Sequence, residues 1–491
     1  MNLNSTERPT TQAAKSGLFG MSPKATMYLV GALVILSADS ETFAILPLLR
    51  ELSLEYGLSP TQVAWMAALP GLTAAGLVPV MCRLGDMFGV RRLLIISIAA
   101  AAAGNVICLL SPGPTGFLVG RAIIGGGVAC IPLLYSYLRL QAETQEEINE
   151  SAGFMTAIIG GGLVVSFLMG GVIMEVGGSV RTAMLAITIL SLVVVVLLRF
   201  ALPDNPTRVK CTIDYVGSVI LAVALTALVL GLAEGNKWGW TSSKIIACLV
   251  SGTALLAIWV VWERRTAAPI IDLSVIMRRE VWPAFVVCAM TTFMGVATVL
   301  TATQYLQTPE KAGYGFGMTP FQVGLSLLPV GFMMAFGGLV VGSVVERIGV
   351  RPTAALGGLL SILNFGWFSV TDAAVWKYLV MLFLFGTAYA LTVTAGASAY
   401  LRAARPGETG MVTGAARIVA TALGSLGPAI AAALLTSSYI PKTSIPNAAN
   451  YDKVWMFFAA CGVLVIVVSQ LIRQSDVRND LAPNTVQNQT A

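Results

Sequence analysis

Fourteen apolar runs of about 20 residues follow one another along the chain, and this pattern limits its fold more than any other feature. A run of that length crosses the hydrocarbon core of a bilayer as an α-helix. The chain is 56% hydrophobic and only 11% charged, whereas soluble domains carry about a quarter charged residues. The bilayer must therefore be its solvent, and we predict an all-α membrane protein with 14 transmembrane helices.

The basic residues predict which side of the membrane the termini occupy. The predicted spans cover residues 27–49, 63–82, 93–110, 116–138, 152–176, 182–200, 213–234, 244–262, 281–306, 321–344, 353–370, 375–400, 409–436 and 454–472. An even number of spans leaves both termini on one side. Of the 30 Lys and Arg residues, we assign 20 to the tails and loops on that side and 8 to the opposite loops. The positive-inside rule therefore predicts a multi-pass protein of the cell membrane with both termini cytoplasmic.

An internal repeat organises the chain. Residues 58–92 and 318–352 align without a gap at an offset of 260. The matching positions are Pro60, Gln62, Val63, Gly71, Ala75, Gly89, Val90 and Arg91 with Pro320, Gln322, Val323, Gly331, Ala335, Gly349, Val350 and Arg351. This offset corresponds to eight predicted spans rather than six. The simplest explanation is two six-helix halves, related as parallel repeats, with two helices inserted between them.

This repeat predicts five regions. They are an N-terminal tail over 1–26, a first half over 27–200, a linker with two extra transmembrane helices over 201–280, a second half over 281–472 and a C-terminal tail over 473–491. Parallel repeats of this kind place a substrate site at their interface near the middle of the bilayer, and rocking of the halves gives alternating access.

Composition also excludes several kinds of site. The chain has no histidine, which rules out histidine-based catalytic triads and histidine metal ligands. Its seven cysteines show no close spacing, and most lie inside apolar runs, so we expect small core residues rather than a metal site. The basic residues are scattered among loops rather than clustered, so no nucleic-acid partner is expected. We expect no cofactor and no metal.

Two acids lie near the middle of the first span, Asp39 and Glu41. Each charge would cost roughly 2.5–3.5 kcal/mol facing lipid, so the two acids must face a cavity, pair with a cation or bind a proton. They point about 200° apart on a helix, and only a local break lets both meet one partner. The nearest basic candidate is Arg121 in the fourth span. A carboxyl whose proton is displaced to water when a cationic substrate approaches suits coupled exchange, whereas a static pair with Arg121 would only fasten helices.

The loop after the second span carries Gly85, Asp86, Gly89, Arg91 and Arg92. It resembles the signature loop of the major facilitator superfamily, except that Cys82 stands where that pattern begins with glycine. The resemblance implies a gating role in which Asp86 contacts the second half. Arg417 in the thirteenth span is then a candidate partner, and the alternative is that Arg417 snorkels or caps a helix end. The second copy of the loop carries Glu346, Gly349 and Arg351.

Three further patterns strengthen this resemblance. Arg121, followed by Gly125, Gly126 and Gly127, is similar to the superfamily's fourth-helix motif, which implies proton coupling for Arg121 and the first-span acids. The fifth span resembles the exporters' antiporter motif, with Ser166 and Phe167 where that motif has Gly-Pro. Its residues are Gly153, Gly162, Ser166, Phe167, Gly170 and Gly171. The inserted pair, with Asp214, Gly217, Trp238, Trp240 and Asp272, resembles the 14-helix drug:proton antiporter family.

We therefore expect a secondary transporter rather than an enzyme. The resemblance implies proton-coupled efflux of an amphipathic small molecule or drug, driven by the proton gradient and carried out by a monomer in the lipid bilayer. The altered Ser166-Phe167 pair leaves a proton-coupled uptake symporter as an alternative. A membrane enzyme or receptor is a remote alternative, because it would need a catalytic cluster or a sizeable soluble domain.

Overall fold

The structure is a computed structural model, and it describes residues 21–141, 144–203, 214–266, 269, 273–369, 374–404, 409–441, 443 and 445–472. Thirteen helices of this described part are long and apolar enough to cross a membrane. The predicted eleventh span lies outside those thirteen, yet it too is one helix, Val350–Ser369. The fourteen predicted spans are therefore all helical in the described part of the chain.

The helices before the inserted pair are α1 (Pro23–Asp39), α2 (Leu49–Tyr56), α3 (Pro60–Phe88), α4 (Val90–Leu110), α5 (Pro114–Ile124), α6 (Cys130–Gln141), α7 (Gln145–Glu175) and α8 (Val180–Ala201). The inserted segment contains α9 (Tyr215–Ala233), α10 (Gly235–Trp238), α11 (Ser243–Glu263) and α12 (Leu273–Ile276). The remaining helices are α13 (Trp282–Gln307), α14 (Pro320–Ile348), α15 (Val350–Ser369), α16 (Val375–Ala403), α17 (Thr409–Gly424), α18 (Leu426–Leu435) and α19 (Ala448–Ser469). We call the side on which α1 begins the inner side, since the basic loops predict it to be cytoplasmic, and the opposite side the outer side.

Three spans are interrupted. The first continues from α1 through a π-helical turn, Ser40–Ala44, and a 3-10 turn, Leu46–Leu48, into α2. Pro47 in that segment has no N–H to donate to the carbonyl four residues earlier. The fourth is interrupted by a 3-10 turn at Gly125–Ala129, and the thirteenth breaks between α17 and α18. Backbone carbonyls released at such breaks need other donors, and this need positions the site described below.

The two copies of the repeat adopt the same local structure. Helices α3 and α14 each have 29 residues and begin at positions 260 apart. Each begins with a capping box, formed by Ser59 with Gln62 and by Thr319 with Gln322. Each ends at a glycine with positive φ, 102° at Gly89 and 90° at Gly349, a backbone conformation that side-chain-bearing residues rarely adopt.

The arginine after each glycine has the same task in both copies. Arg91 donates from Nε to the Leu198 carbonyl at the inner end of α8 (3.0 Å). Arg351 donates from Nε and Nη2 to the Ile472 carbonyl just after α19, at 3.1 and 2.8 Å. Since α8 and α19 are the sixth spans of their halves, these equivalent arginines cap equivalent helix ends. The two halves are therefore parallel repeats.

The halves pack against each other along two seams. On one, α7 contacts α14, and Gly171 of α7 leaves room for the backbone of Phe321. On the other, α3 contacts α17 and α18, where a Cβ at Gly71 would lie 3.2 Å from the Ser425 Cβ. Small residues at both seams allow the backbones to approach closely. The second span of each half thus packs against the fifth span of the other half.

The inserted pair lies beside the second of these seams. Helix α9 packs against α11, α3 and α18, and a Cβ at Gly76 of α3 would lie 2.8 Å from the Ala222 Cβ. At its outer end, Asn236 donates to the Ala433 carbonyl (2.5 Å) and to Thr436 Oγ1 (2.9 Å). The described part of the insert therefore contacts both halves and lies along the seam between α3 and α18.

Candidate functional site

The break in the first span places Asp39 and Glu41 in different surroundings. Asp39 is the last residue of α1, and Glu41 lies in the π-helical turn that follows. Both side chains are buried. Single π-helical turns are rare and are frequent at functional sites. Because the helix is distorted here, the two acids meet different helices.

Glu41 is held inside the first half by hydrogen bonds. Its Oε1 accepts from Asn105 Nδ2 of α4 (3.2 Å) and from Ser191 Oγ of α8 (3.0 Å). The Ser191 hydroxyl also lies 3.0 Å from the Ser37 hydroxyl of α1. Three helices are therefore joined through the Glu41 carboxyl.

Arg121 bonds to backbone carbonyls rather than to either carboxyl group. It is 2% exposed, and it donates from Nε to the Met66 carbonyl (3.1 Å) and from Nη1 to the Glu41 carbonyl (2.6 Å). The Met66 carbonyl needs a donor because Pro70, four residues later in α3, has no N–H. The Glu41 carbonyl lies in the π-helical turn. Arg121 thus fastens two helix irregularities, and its charge acts on the nearby Glu41 carboxyl.

Asp39 faces the fifth span. A Cβ at Gly162 of α7 would lie 2.6 Å from Asp39 Oδ2, so the absence of a side chain at Gly162 makes room for the carboxyl. Within the described part of the chain, Oδ2 has no hydrogen-bond partner. Arg417 of α17, from the second half, lies within electrostatic range of Asp39. Asp39 is therefore the acid that faces the interface between the halves.

The predicted helix-bend motif surrounds the same turn. A Cβ at Gly170 would collide with the Ala44 carbonyl of the first span. The Ser166 hydroxyl lies 3.2 Å from the Ser40 hydroxyl, and the buried Phe167 ring packs against Gly331 of α14. Gly153 lies in the same helix, α7. The Ser-Phe pair therefore contacts both halves where the antiporter pattern has Gly-Pro.

The predicted gating loop lies at the inner end of α3. Gly85 packs against Leu133 of α6, and a Cβ there would lie 2.9 Å from Leu133 Cδ2. Asp86 and Arg92 are exposed. Partial burial raises the pKa of Asp86 above its ordinary value, and the charge of Arg83 opposes this rise. In the second copy, Glu346 is exposed.

The structure does not bring Asp86 and Arg417 together. Both residues are described, and no ion pair joins them in this part of the chain. The basic group that acts on Asp86 is Arg83, whereas Arg417 acts on Asp39. Among the described residues, the structure therefore shows no ion pair between Asp86 and its candidate partner, and the gating role of the loop stays a prediction.

One side chain missed by the sequence analysis joins the halves on the outer side. Gln307, 3% exposed, donates from Nε2 to the Pro47 carbonyl, and its Oε1 accepts from the Arg50 N–H (3.2 Å). Pro47 and Gln307 are 260 residues apart, the offset of the repeat. Gln307 therefore joins the first span of one half to α13 of the other on the outer side.

Comparisons with known proteins agree on one family and one fold. The sequence profile of the Major Facilitator Superfamily matches residues 29–428. The methyl viologen resistance protein SmvA of Salmonella typhimurium is 26% identical over 428 residues, which cover 86% of this chain and 84% of SmvA. The multidrug resistance protein Stp of Mycobacterium tuberculosis is 27% identical over 399 residues, 79% of this chain and 71% of Stp.

Solved structures show the same fold at low identity. The POT family transporter PepTSo superposes with a TM-score of 0.64 at 14% identity, covering 92% of this chain and 98% of PepTSo. The nucleoside transporter NupG superposes with a TM-score of 0.62 at 12% identity, covering 92% of this chain and 99% of NupG. At these identities the likeness concerns the fold alone.

Proposed function

The chain belongs to the Major Facilitator Superfamily, and we propose that it exports amphipathic small molecules in exchange for protons. Two relatives, a methyl viologen resistance protein and a multidrug resistance protein, support export of drug-like compounds. The fold of parallel halves supports alternating access of a site at their interface. We place the protein in the cell membrane as a monomer, with both termini cytoplasmic because basic residues concentrate on that side.

The observation that carries this proposal is the position of Asp39. Its carboxyl is buried at the interface, and Oδ2 has no hydrogen-bond partner among the described residues. An ionised carboxyl is costly in such a site unless a cation or a hydrogen-bond donor compensates it. A proton and a cationic substrate group satisfy this requirement equally well, but not together. Competition of the two for one carboxyl is what antiport requires.

The other polar residues of the first half hold Asp39 in place. Arg121 fastens the π-helical turn to α3, and Asn105 and Ser191 hold the Glu41 carboxyl. We assign Glu41 and Arg121 mainly to shaping the site, with influence on proton binding through their charges. Asp39 is the group that exchanges a proton for substrate.

Alternating access requires the interface to open on one side at a time. In this proposal the Gln307 bonds hold the outer side closed, while the exposed side chains of Arg417 and Tyr135 lie in spans that line the interface. Rocking of the halves about this closed end would break the Gln307 bonds. The gating loop at Asp86 would then contact the second half when the inner side closes.

Proton-coupled uptake of a small metabolite uses the same scaffold and is the second candidate. It is favoured by Ser166 and Phe167, since the exporters' pattern has Gly-Pro there. The direction of proton movement relative to substrate separates the two functions. An enzyme or receptor function has no support from the site.

Purified protein in liposomes tests the proposal. An imposed proton gradient should drive uptake of an amphipathic dye with a cationic group against the direction of proton flow, and Asp39→Asn should abolish the coupled flux. Asp452→Asn, at an exposed acid of α19, is the matched control and should retain it. Proton and substrate movement in the same direction would establish symport instead, and coupled flux in Asp39→Asn would refute the role of Asp39.

A further inference from the structure

Arg417 occupies an unusual position for a charged residue. It lies eight residues into α17, about 12 Å from the start of the helix, and its side chain is exposed. A charge at membrane depth that faced lipid would cost roughly 2.5–3.5 kcal/mol. Such residues therefore almost always face the interior of the bundle or a water-filled space.

The packing of α17 shows which way Arg417 points. Gly424 is seven residues further along and therefore on the same helix face, where a Cβ would lie 3.1 Å from Thr292 Cγ2 of α13. Ser425 packs against Gly71 of α3. On the opposite face, Ala415 belongs to the same apolar cluster as Leu225 of α9, and α17 contacts α12 of the inserted segment. Arg417 thus faces the centre of the molecule, between α13 of the second half and α3 of the first.

The guanidinium of Arg417 has no polar partner among the described residues. Within the described part of the chain it makes no hydrogen bond and no ion pair, although its charge acts on Asp39 across the interface. Arg121, by contrast, donates two hydrogen bonds to backbone carbonyls. The interface therefore presents one carboxyl from the first half and one free guanidinium from the second, without direct contact between them.

Aromatic side chains lie near Arg417. Tyr389 and Tyr400 of α16 are within range of the Arg417 charge, and the Tyr389 ring lies against Gly295 of α13. Tyr135 of α6, 45% exposed, belongs to the other half and lies within electrostatic range of Tyr400. Such rings offer apolar contact area to an amphipathic ligand.

We propose that the interface binds an amphipathic zwitterion, with its cationic group at Asp39 and its anionic group at Arg417. A guanidinium is suited to a carboxylate, which it can bind through two parallel hydrogen bonds. A ligand with only positive charge would satisfy Asp39 but would be repelled by Arg417. The proposal rests on the proposed function in that it takes the interface as the substrate site, and it names the class of substrate.

Two dyes that differ at a single group test the assignment. Rhodamine B is a zwitterion, and its ethyl ester has the same rings and cationic charge without the carboxylate. Fluorescence polarisation with the purified protein in detergent should give about tenfold tighter binding of rhodamine B than of the ester, equivalent to one charge-assisted interaction. Arg417→Gln should remove this preference by weakening rhodamine B binding alone, and Arg417→Lys should keep part of it. Arg402→Gln, at an exposed arginine at the inner end of α16, is the matched control and should leave both affinities unchanged.

Several results would overturn the proposal. These are equal or tighter binding of the ester by the wild type, an equal loss of both dyes in Arg417→Gln, and no binding of either dye. Since these measurements use no membrane and no gradient, they are separate from the liposome experiment. A carboxylate preference that depends on Arg417, in a protein without coupled flux, would uphold this inference and refute proton exchange.

Discussion

At the scale of single residues, the two acids of the first span differ in the hydrogen bonds and charges that surround their buried carboxyl groups. Glu41 accepts two side-chain hydrogen bonds within its own half. Asp39 has an oxygen without a partner in the described residues and responds to a charge from the other half. The sequence predicted both acids and Arg121 as one group. It could not predict that Glu41 is held within its own half while Asp39 faces the interface. That difference depends on a π-helical turn, for which the residues carry no recognised signal.

Arg121 shows a second limit of sequence reasoning. A basic residue near two buried acids predicts an ion pair, but the donors of Arg121 go to the carbonyls of Met66 and Glu41. One signal was available, since Pro70 releases the carbonyl of Met66 within α3. A proline in a membrane helix thus indicates that the backbone carbonyl four residues earlier needs a hydrogen-bond donor from elsewhere.

This role predicts the effect of removing Arg121. Arg121→Met keeps the length of the side chain and leaves both carbonyls without a donor, which should cost about 1–3 kcal/mol for each group. Thermal unfolding in detergent should show a clearly lowered midpoint. Arg199→Met, at an exposed residue near the end of α8, should change the midpoint little. An Arg121→Met protein as stable as the wild type would contradict the role of Arg121 in fastening these helices.

At the scale of elements, α7 is the helix that links the break in the first span to the second half. Gly162 and Gly170 face the first span, whereas Gly171 and Phe167 face α14. The spacing of these glycines resembles the antiporter motif, and it predicted close packing. The spacing alone could not say which glycine faces which neighbour, because that depends on how α7 is rotated against both halves.

Two glycines of α7 allow a matched comparison. A methyl group at Gly170 would collide with the Ala44 carbonyl, while a Cβ at Gly161 would meet nothing within 4 Å. Gly170→Ala should therefore push α7 away from the π-helical turn, lowering both the unfolding midpoint and transport. Gly161→Ala should be neutral or stabilising by about 0.5–1 kcal/mol, since alanine favours the helix. If both substitutions have the same effect on the midpoint, the close contact at Gly170 does not matter.

At the scale of the whole molecule, the sequence predicted the architecture well. Apolar runs predicted the helices to within several residues, as in 213–234 against Tyr215–Ala233. The reason is that a segment crossing a bilayer must form all its backbone hydrogen bonds internally and must match the thickness of the bilayer. The all-α major facilitator fold with parallel repeats is confirmed. The offset of 260 residues reappears in the contact between Pro47 and Gln307.

The conformational state was beyond the reach of the sequence. The Gln307 bonds between the halves and the absence of an Asp86–Arg417 ion pair among the described residues both belong to one position of the halves. The residues that form the contacts of every conformation are all present in one sequence. The sequence alone therefore does not show which of these contacts form in the same conformation. The proposed division into tails, halves and linker likewise stays a prediction at its boundaries.

The central claim is that substrate and proton compete for Asp39. Proton release on binding tests it most directly, by adding a substrate to purified protein in weakly buffered detergent solution with a pH-indicator dye. We predict that substrate binding releases protons from the wild type and from Glu41→Gln, and that Asp39→Asn binds without release. Release from Asp39→Asn equal to that of the wild type, or binding to the wild type with no release at any pH between 5 and 9, would contradict the account.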